Sequence, residues 1–328
     1  MPRFHEGELA VQTRAGVAEH AAAMQDAFET ELPPVAAEFL AAQPWIVLGA
    51  ADAYDRMWAT VLYGRPGFIT TPVPSTVQIA AHPLAGDPLE GALTGPVGGL
   101  AIEPGTRRRM RLNGQARSMG EGVSIELEQV YSNCPKYIAT RHVVGVSAPA
   151  PVRHTGESLD AVATDLLART DTAFVATRGP DGGADTSHRG GNPGFLRVVD
   201  SHTIVWPEYA GNSMFNTLGN IAVDPATGLT VVDPVTGTTL YLSGSAEVLW
   251  EDGGFPSARS LVRLMVESAV RLDGAAPLRW ELERPARNPP VAGRQAAATV
   301  RATSNNSSGM GVSRRHVNDT GRSPEDPT

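Results

Sequence analysis

Cysteine and lysine are nearly missing from this chain of 328 residues, which holds one of each, Cys134 and Lys136. A lone cysteine excludes an internal disulfide and a cysteine-based zinc cluster. The lone lysine sits in Cys134-Pro135-Lys136-Tyr137, so the Gly-rich loop ending in Lys-Ser/Thr that cradles nucleotide phosphates is absent. A Schiff-base lysine is nearly excluded by the same scarcity. No apolar run approaches the roughly 18 residues of a membrane span. Positive charge is in deficit: 27 Lys and Arg stand against 35 Asp and Glu, a net charge of −8. That balance argues against nucleic acid or an acidic membrane as partner. The eight histidines are scattered without a His-Glu-x-x-His, so no metal site is expected. A Gly-x-Ser-x-Gly nucleophile elbow is also missing. Met1–Ala10 contains Glu6 and Glu8 and no apolar stretch, unlike a secretory leader, and the expected location is the cytoplasm.

What is present suits a folded chain of about two domains. Hydrophobic residues make up 41%, with 34 glycines besides. Because every cation but Lys136 is arginine, a bound anion must rely on Arg, hydroxyls and backbone N–H groups. Residues 1–34 read as an N-terminal helical segment. Leu9, Ala10, Thr13, Val17, Ala21 and Met24 recur at spacings of three and four from His5 to Glu31, and Pro33-Pro34 stops the run. Beyond it, short Val/Ile-rich runs such as Trp45–Leu48, Val77–Ala80, Phe174–Thr177 and Leu229–Val232 alternate with Gly, Pro, Asp and Asn clusters. This spacing predicts a mainly β protein, a barrel or sandwich with peripheral helices. Helical stretches are predicted at Leu159–Arg169, Ser213–Ile221 and Ser257–Ser268. Residues 285–328, rich in Pro, Ser, Asn and Arg, read as a disordered tail.

Three segment pairs recur in the same order. Arg65–Ile69 corresponds to Asn192–Leu196, Leu100–Pro104 to Leu229–Pro234, and Arg111–Ala116 to Tyr241–Ala246. An internal duplication follows, with one copy over 35–146, a second over 157–284, and the Pro-containing linker Ser147–Gly156 between them. Two such copies are expected to pack about a pseudo-twofold axis, as a homodimer would.

The copies differ in one place. Before Pro-Gly-Phe the second reads Asp185-Thr186-Ser187-His188-Arg189-Gly190-Gly191-Asn192, where the first reads Trp58-Ala59-Thr60-Val61-Leu62-Tyr63-Gly64-Arg65. A hydroxyl, an imidazole, a guanidinium and two glycines in a row suit an anion, though a polar turn with an exposed Arg has the same composition. A second polar cluster, Trp206–Thr217, reads as a strand end, a turn and a helix start with Asn212 or Ser213 as N-cap. A helix N-terminus favours an anion, and simple capping explains the same residues. Cys134 reads as structural, and Trp45, Trp58, Trp250 and Trp280 as core or interface residues.

The segments Phe4–Glu8, Tyr131–Ile138, Ser187–Phe195 and Gly211–Asn220 resemble the pyridoxamine 5′-phosphate oxidase-like, FMN-binding split-barrel family, in its branch with two barrels in tandem. The resemblance spans about residues 4–284. It implies two Greek-key split β-barrels, 35–146 a degenerate copy and 157–284 the FMN-binding copy, with the flavin where they meet. Phosphate contacts would come from Ser187, His188, Arg189 and Gly190 and from the turn Asn212, Ser213 and Met214. Many relatives carry Arg or Lys in that turn, so Ser213 and Met214 shift the load to Arg189, hydroxyls and backbone. The resemblance places Trp206 near the cofactor edge and Thr239 at a ring-contacting position. Arg109, counterpart of Thr239 in Arg107–Arg111, would bring charge across the interface or belong to a solvated basic strand face. His188 is the best single candidate for proton transfer, although such a His more often only hydrogen-bonds. The expected protein is an FMN-dependent oxidoreductase with one site per chain, acting on an unknown small molecule, with a reduced nicotinamide or another donor. The barrels would form an intramolecular pseudo-dimer, with a homodimer left open. The alternatives are a non-catalytic flavin- or haem-binding module and a scaffold without cofactor.

Overall fold

The computed structural model describes residues 4–291. The expected helix from His5 to Glu31 is instead three short pieces: α1 (Glu6–Arg14), α2 (Ala18–Ala22) and a 3-10 turn (Gln25–Ala27). Gly16, at φ 68°, breaks the run by taking the left-handed region. Pro34 opens a further helix, α3 (Pro34–Ala41), at the first helical position, where its missing N–H costs nothing.

Seven strands follow: β1 (Trp45–Ala51), β2 (Met57–Tyr63), β3 (Ile69–Val73), β4 (Thr76–Ile79), β5 (Gly95–Glu103), β6 (Arg108–Met119) and β7 (Gly122–Ser132). After β8 (Thr140–Val146), β9 (Val152–Gly156) and α4 (Ala161–Arg169) come β10 (Thr172–Arg178), β11 (Ala184–Gly190), β12 (Arg197–Val198) and β13 (Thr203–Glu208). The last elements are α5 (Asn216–Val223), β14 (Ala226–Val232), β15 (Thr239–Leu249), β16 (Ser260–Asp273) and β17 (Leu278–Arg284). One sheet runs β2-β1-β5-β6-β7-β4-β3 and the other β11-β10-β14-β15-β16-β13-β12, so each strand on this path of the second is the counterpart of one in the first; β9 is an eighth strand, off the path. The fold is a mainly β split-barrel architecture in which two antiparallel sheets share one strand order. They share irregularities as well. The β6/β7 register slips at Asn113/Gly114 and the β15/β16 register at Ser243/Gly244. A Cβ on either glycine would lie 1.9 Å from a carbonyl oxygen of the neighbouring strand, of Glu126 or of Met265.

Register fixes which residues are equivalent. Gly49 faces Gly98 and Ala50 faces Trp58 in one sheet; Ala176 faces Gly228 and Thr177 faces Asp185 in the other. The sheets meet through these counterparts: β11 lies on β5 and β6, and β2 lies on β14 and β15. Gly98 and Gly228 permit the approach, since a Cβ would lie 2.5 Å from Asp185 Cα or 2.7 Å from Trp58 Cα. An apolar cluster including Val47, Met57, Ala59, Leu100, Phe174, Ala176 and Ala184 fills the contact. Thr186 Oγ1 donates to the Gly98 carbonyl at 2.8 Å, and Thr230 Oγ1 to that of Ala59 at 2.5 Å.

The segment Ser257–Ser268, expected to be helical, belongs largely to strand β16, which pairs with both β13 and β15. Burial there alternates: Leu264 and Val266 point inward, Met265 and Glu267 outward. Val152–Gly156 of the expected linker is strand β9, paired with β16. β8 and β17 pair with each other as a separate ribbon. Of the expected tail, residues 285–291 are described, and Asn192 Nδ2 donates to the Pro289 carbonyl at 3.1 Å. Residues 292–328 lie outside the described residues.

Candidate functional site

The edge strand β11 alternates its side chains between two surroundings, as a strand must. Ser187 and Arg189 turn toward the second sheet's own elements. Ser187 Oγ lies 2.9 Å from Thr217 Oγ1 on α5, while Arg189 donates from Nε to Glu208 on β13 at 2.6 Å and from Nη1 to Ser187 at 2.8 Å. His188 turns the other way, to the first sheet, where Arg109 of β6 lies with Nη1 3.1 Å from its Nδ1. A guanidinium only donates, so Nδ1 is the bare nitrogen and Nε2 carries the proton. Burial, with the charges of Arg109, Arg189 and Arg141, holds the His188 pKa well below the ordinary histidine value, so the ring is neutral at pH 7.

Next to it Arg111 donates to both Asp185 oxygens, at 2.9 and 2.8 Å, and to the Tyr131 hydroxyl at 3.1 Å. This buried ion pair joins the sheets. Arg109 has no carboxylate within salt-bridge distance among the described residues, and its Nε is buried without a hydrogen-bond partner. Burial and the neighbouring Arg111 and Arg189 charges bring its pKa down to about 9, so it stays charged at neutral pH. Guanidiniums that repel one another in a buried place are stabilised by an anion.

The turn between β13 and α5 completes the site. Ser213 and Phe215 both have positive φ, 65° and 60°, a strained backbone that surrounding contacts must hold. Asn212 donates to Asn133 Oδ1 at 2.7 Å and accepts from the Met214 N–H, while Gln12 of α1 donates to the Met214 carbonyl at 2.9 Å. Helix α5 starts at Asn216, with Phe215 at the N-cap and no side-chain cap, so neither Asn212 nor Ser213 caps it. Helix α1 braces this end through Asn216, which donates to Glu8, and His5, whose Nε2 lies 2.8 Å from Asn220 Oδ1. Gly7 and Gly219 let the two helices touch: a Cβ on Gly7 would meet the Gly219 carbonyl at 2.3 Å. From the β7–β8 connection, Tyr137 donates to the Ala210 carbonyl at 2.9 Å and Lys136 at 3.3 Å. The four segments that carried the family resemblance thus converge on one place.

There they enclose a cavity of about 100 Å³. Its lining includes Arg109, His188, Arg189, Gly190, Asn212 and Ser213, six of the ten residues named from the sequence. Ser187 lies behind the wall, bonded to the lining residues Arg189 and Thr217. The remaining three are elsewhere. Trp206 packs in the second sheet's core, with its indole N–H 3.2 Å from Glu208. The Met214 side chain joins Phe4, Ala21 and Tyr131 in a small apolar cluster. Thr239 falls at the opposite interface position for a geometric reason. β11 takes its cross-sheet neighbour from β6, so a β15 residue serves β2 instead. Sequence reasoning named no role for Lys136, Asn133, Glu208 or Arg259, all of which line the cavity. Lys136 and Asn133 stood inside a quoted family segment and Glu208 inside a polar cluster; Arg259 had no such signal.

A second cavity, of about 310 Å³, lies across His188, which lines both. Its walls include Trp45, Tyr63, Ile102, Phe174 and Trp280.

Two sheets of one topology pack through equivalent strands in a split-barrel fold, with a cationic cavity at one of two related interface positions. Residues 159–302 match the family model described as pyridoxamine 5′-phosphate oxidase. The matched segment holds β11, the turn after β13 and α5. No curated protein matches the chain. Among solved structures, HupZ of Group A Streptococcus is 19% identical over 36% of this chain and 98% of its own, with a TM-score of 0.30. A protein from Clostridium acetobutylicum related to general stress protein 26, of the pyridoxinephosphate oxidase family, is 14% identical over 36% of this chain and 90% of its own, at 0.27. An FAD-binding protein from Mycobacterium smegmatis is 15% identical over 37% and 98%, at 0.26. Among the described residues no helix is long and apolar enough to cross a membrane.

Proposed function

We propose that the chain binds one FMN at the inter-sheet cavity and uses it as an oxidoreductase on a small molecule, with a reduced nicotinamide as donor. The observation that carries this reading is the convergence of Arg109, Arg189, Lys136 and Arg259 on a cavity of about 100 Å³, large enough for a phosphate group, with Glu208 as the facing carboxylate. Arg109 has a buried Nε in need of a partner. These residues fit a phosphate monoester: Arg109, Arg189 and Lys136 supply charge, and Ser213 and the first turn of α5 supply further donors.

When bound, the flavin supplies the electron transfer. The chain's own contribution is positional and electrostatic. Arg109 stays charged and holds His188 in one tautomer, so that only the Nε2 proton is offered. The imidazole is neutral and its Nδ1 is engaged, so His188 serves as a hydrogen-bond donor and not as a base. The buried Arg111–Asp185 pair ties β11 to β6 across the sheets.

The test is flavin retention after desalting. Arg189→Ala should weaken FMN binding about 100-fold, since a buried charged contact is worth about 2–5 kcal/mol and Glu208 would face the phosphate unopposed. Leu62→Ala, at the equivalent place in the first sheet, should leave retention unchanged. Equal retention in both variants would overturn the assignment. A second reading, flavin held without turnover, is favoured by the engaged state of His188. A flavin-loaded protein that does not oxidise reduced nicotinamides would establish it.

A further inference from the structure

The larger cavity lies where the pseudo-twofold relation places it, between counterpart residues. Ile102 and Val232 both line it, as do Pro104 and Pro234 and also Trp45 and Thr172. In a symmetric pair such an axial space would have matching walls. Here the walls do not match: Trp45 and Tyr63 of the first sheet stand where the second has Thr172 and Gly190. Trp45 packs edge-on to Phe174 with centroids 5.5 Å apart and leans on Trp280 at 5.4 Å. The β8–β17 ribbon supplies Arg141, Trp280 and Leu282 to one side. The charges in the wall are matched: Arg141 bonds Asp171 at 2.6 Å, and Arg169 pairs with Asp233. A charged ligand therefore has no free partner here, whereas an apolar one has a wall of rings. Leu282 and Val235, 45% and 71% exposed, give the lining an apolar border at the protein surface.

Three polar side-chain atoms in this wall lack hydrogen-bond partners: Asp233 Oδ2, which the Arg169 ion pair neutralises, and two donors, Trp45 Nε1 and the Tyr63 hydroxyl. Trp45 is only 7% exposed. Buried donors are rarely left unpaired, because each costs about as much as a lost hydrogen bond. Their counterparts in the second copy are Thr172 and Gly190, so both donors belong to the first sheet alone. The volume of about 310 Å³ falls at the lower end for small-molecule sites.

We propose that this axial cavity is the substrate compartment, and that it takes a flat, uncharged, mainly apolar bicyclic molecule whose carbonyl oxygen accepts hydrogen bonds from Trp45 and Tyr63. The word substrate rests on the flavin reading above; the binding itself does not. His188, in the wall shared by both cavities, places such a molecule next to the cofactor site.

The experiment is a titration of the full chain with 1-indanone and with indane, its analogue without the oxygen, read by tryptophan fluorescence. Equilibrium dialysis replaces fluorescence once FMN is loaded. Saturable binding of both is expected, with 1-indanone about 30-fold tighter, the value of two neutral hydrogen bonds. Tyr63→Phe, which removes only the hydroxyl, should narrow that ratio. Ala139→Phe, which fills the cavity, should abolish binding of both. Absence of saturable binding, or unchanged affinity in a folded Ala139→Phe protein, would overturn the site. Displacement of 1-indanone by FMN would assign the cavity to the flavin ring and also overturn it. Binding of 1-indanone by a chain that retains no FMN would uphold the site and remove the flavin reading alone.

Discussion

The two interface positions have the same backbone and opposite contents. At one stand Ser187, His188, Arg189 and Gly190 of β11, with Arg109 and Arg111 reaching in from β6. At the other stand Thr60, Val61, Leu62 and Tyr63 of β2, with Thr239 and Tyr241 from β15. The first is a cationic cavity. The second is apolar where the first is charged: Leu62 and Tyr241 belong to the first sheet's core, Thr60 donates to the buried Asp87 carboxylate at 2.6 Å, and Tyr63 lines the larger cavity. A homodimer must keep both sites or neither, because they are one sequence. Two linked halves of different sequence can hold charge at one position and core at the other.

The sharpest way to break this contrast is at the buried ion pair, which has no counterpart at the packed site. Asp185→Ala leaves Arg111 buried without its partner and should cost about 3–5 kcal/mol of unfolding free energy, measured by urea denaturation. Asp185→Leu with Arg111→Met should recover most of that loss. A cost below about 1 kcal/mol for the single variant would mean that the interface is wetter than described.

Acid titration should separate the two positions by sign. Burial raises the Asp87 pKa to about 6, against hydrogen bonds from Thr60, the Leu89 N–H and Tyr241. The native state then holds a proton that the unfolded chain gives up at about 3.9. This group's stability is present at low pH and lost as pH rises through about 6, by about 3 kcal/mol. His188 behaves oppositely, since its native pKa is depressed. Its contribution is present above the ordinary histidine value and lost as pH falls below it. Urea midpoints from pH 4 to 8 should show Asp87→Asn removing the first slope and His188→Gln the second. Slopes unchanged by both variants would contradict their burial.

The shared features should respond alike. Gly98→Ala and Gly228→Ala each force a Cβ onto the facing strand, and each should cost about 1–3 kcal/mol. Unequal costs would show that the halves do not approach equally. The smallest effects contrast the counterparts Thr239 and Arg109. Thr239→Val removes a buried hydroxyl that has no partner and should change stability by less than about 1 kcal/mol. Arg109→Met should instead weaken FMN retention about tenfold, as loss of one charged hydrogen bond would.

Much of this was legible before any coordinates. Three segment pairs in fixed order led to the duplication, and the contrast of His188-Arg189 with Val61-Leu62 pointed to the strand that lines the cavity. What failed depends on three-dimensional relations that a linear pattern does not carry. Thr239 aligns with Arg109, but a twofold relation sends equivalent residues to opposite places. Trp206 sits among polar residues, yet strand alternation turns it inward. In Ser257–Ser268 the apolar residues Leu261, Leu264 and Met265 fit helical spacing as well as a strand. Only the flanking strands β13 and β15 decide between them. Lys136 reaches the site through a carbonyl of the other half, a contact that no local spacing could announce.

The ribbon of β8 and β17 has a mechanical consequence. The last strand of the first half is stitched to the last strand of the second, and the linker 147–151 runs between β8 and β9. A protease that nicks the chain there would leave two fragments laced together by that seam and by the buried face between the sheets. They should co-migrate in a native separation and part only in denaturant. The two halves, fused by a peptide bond, do not depend on it to stay together.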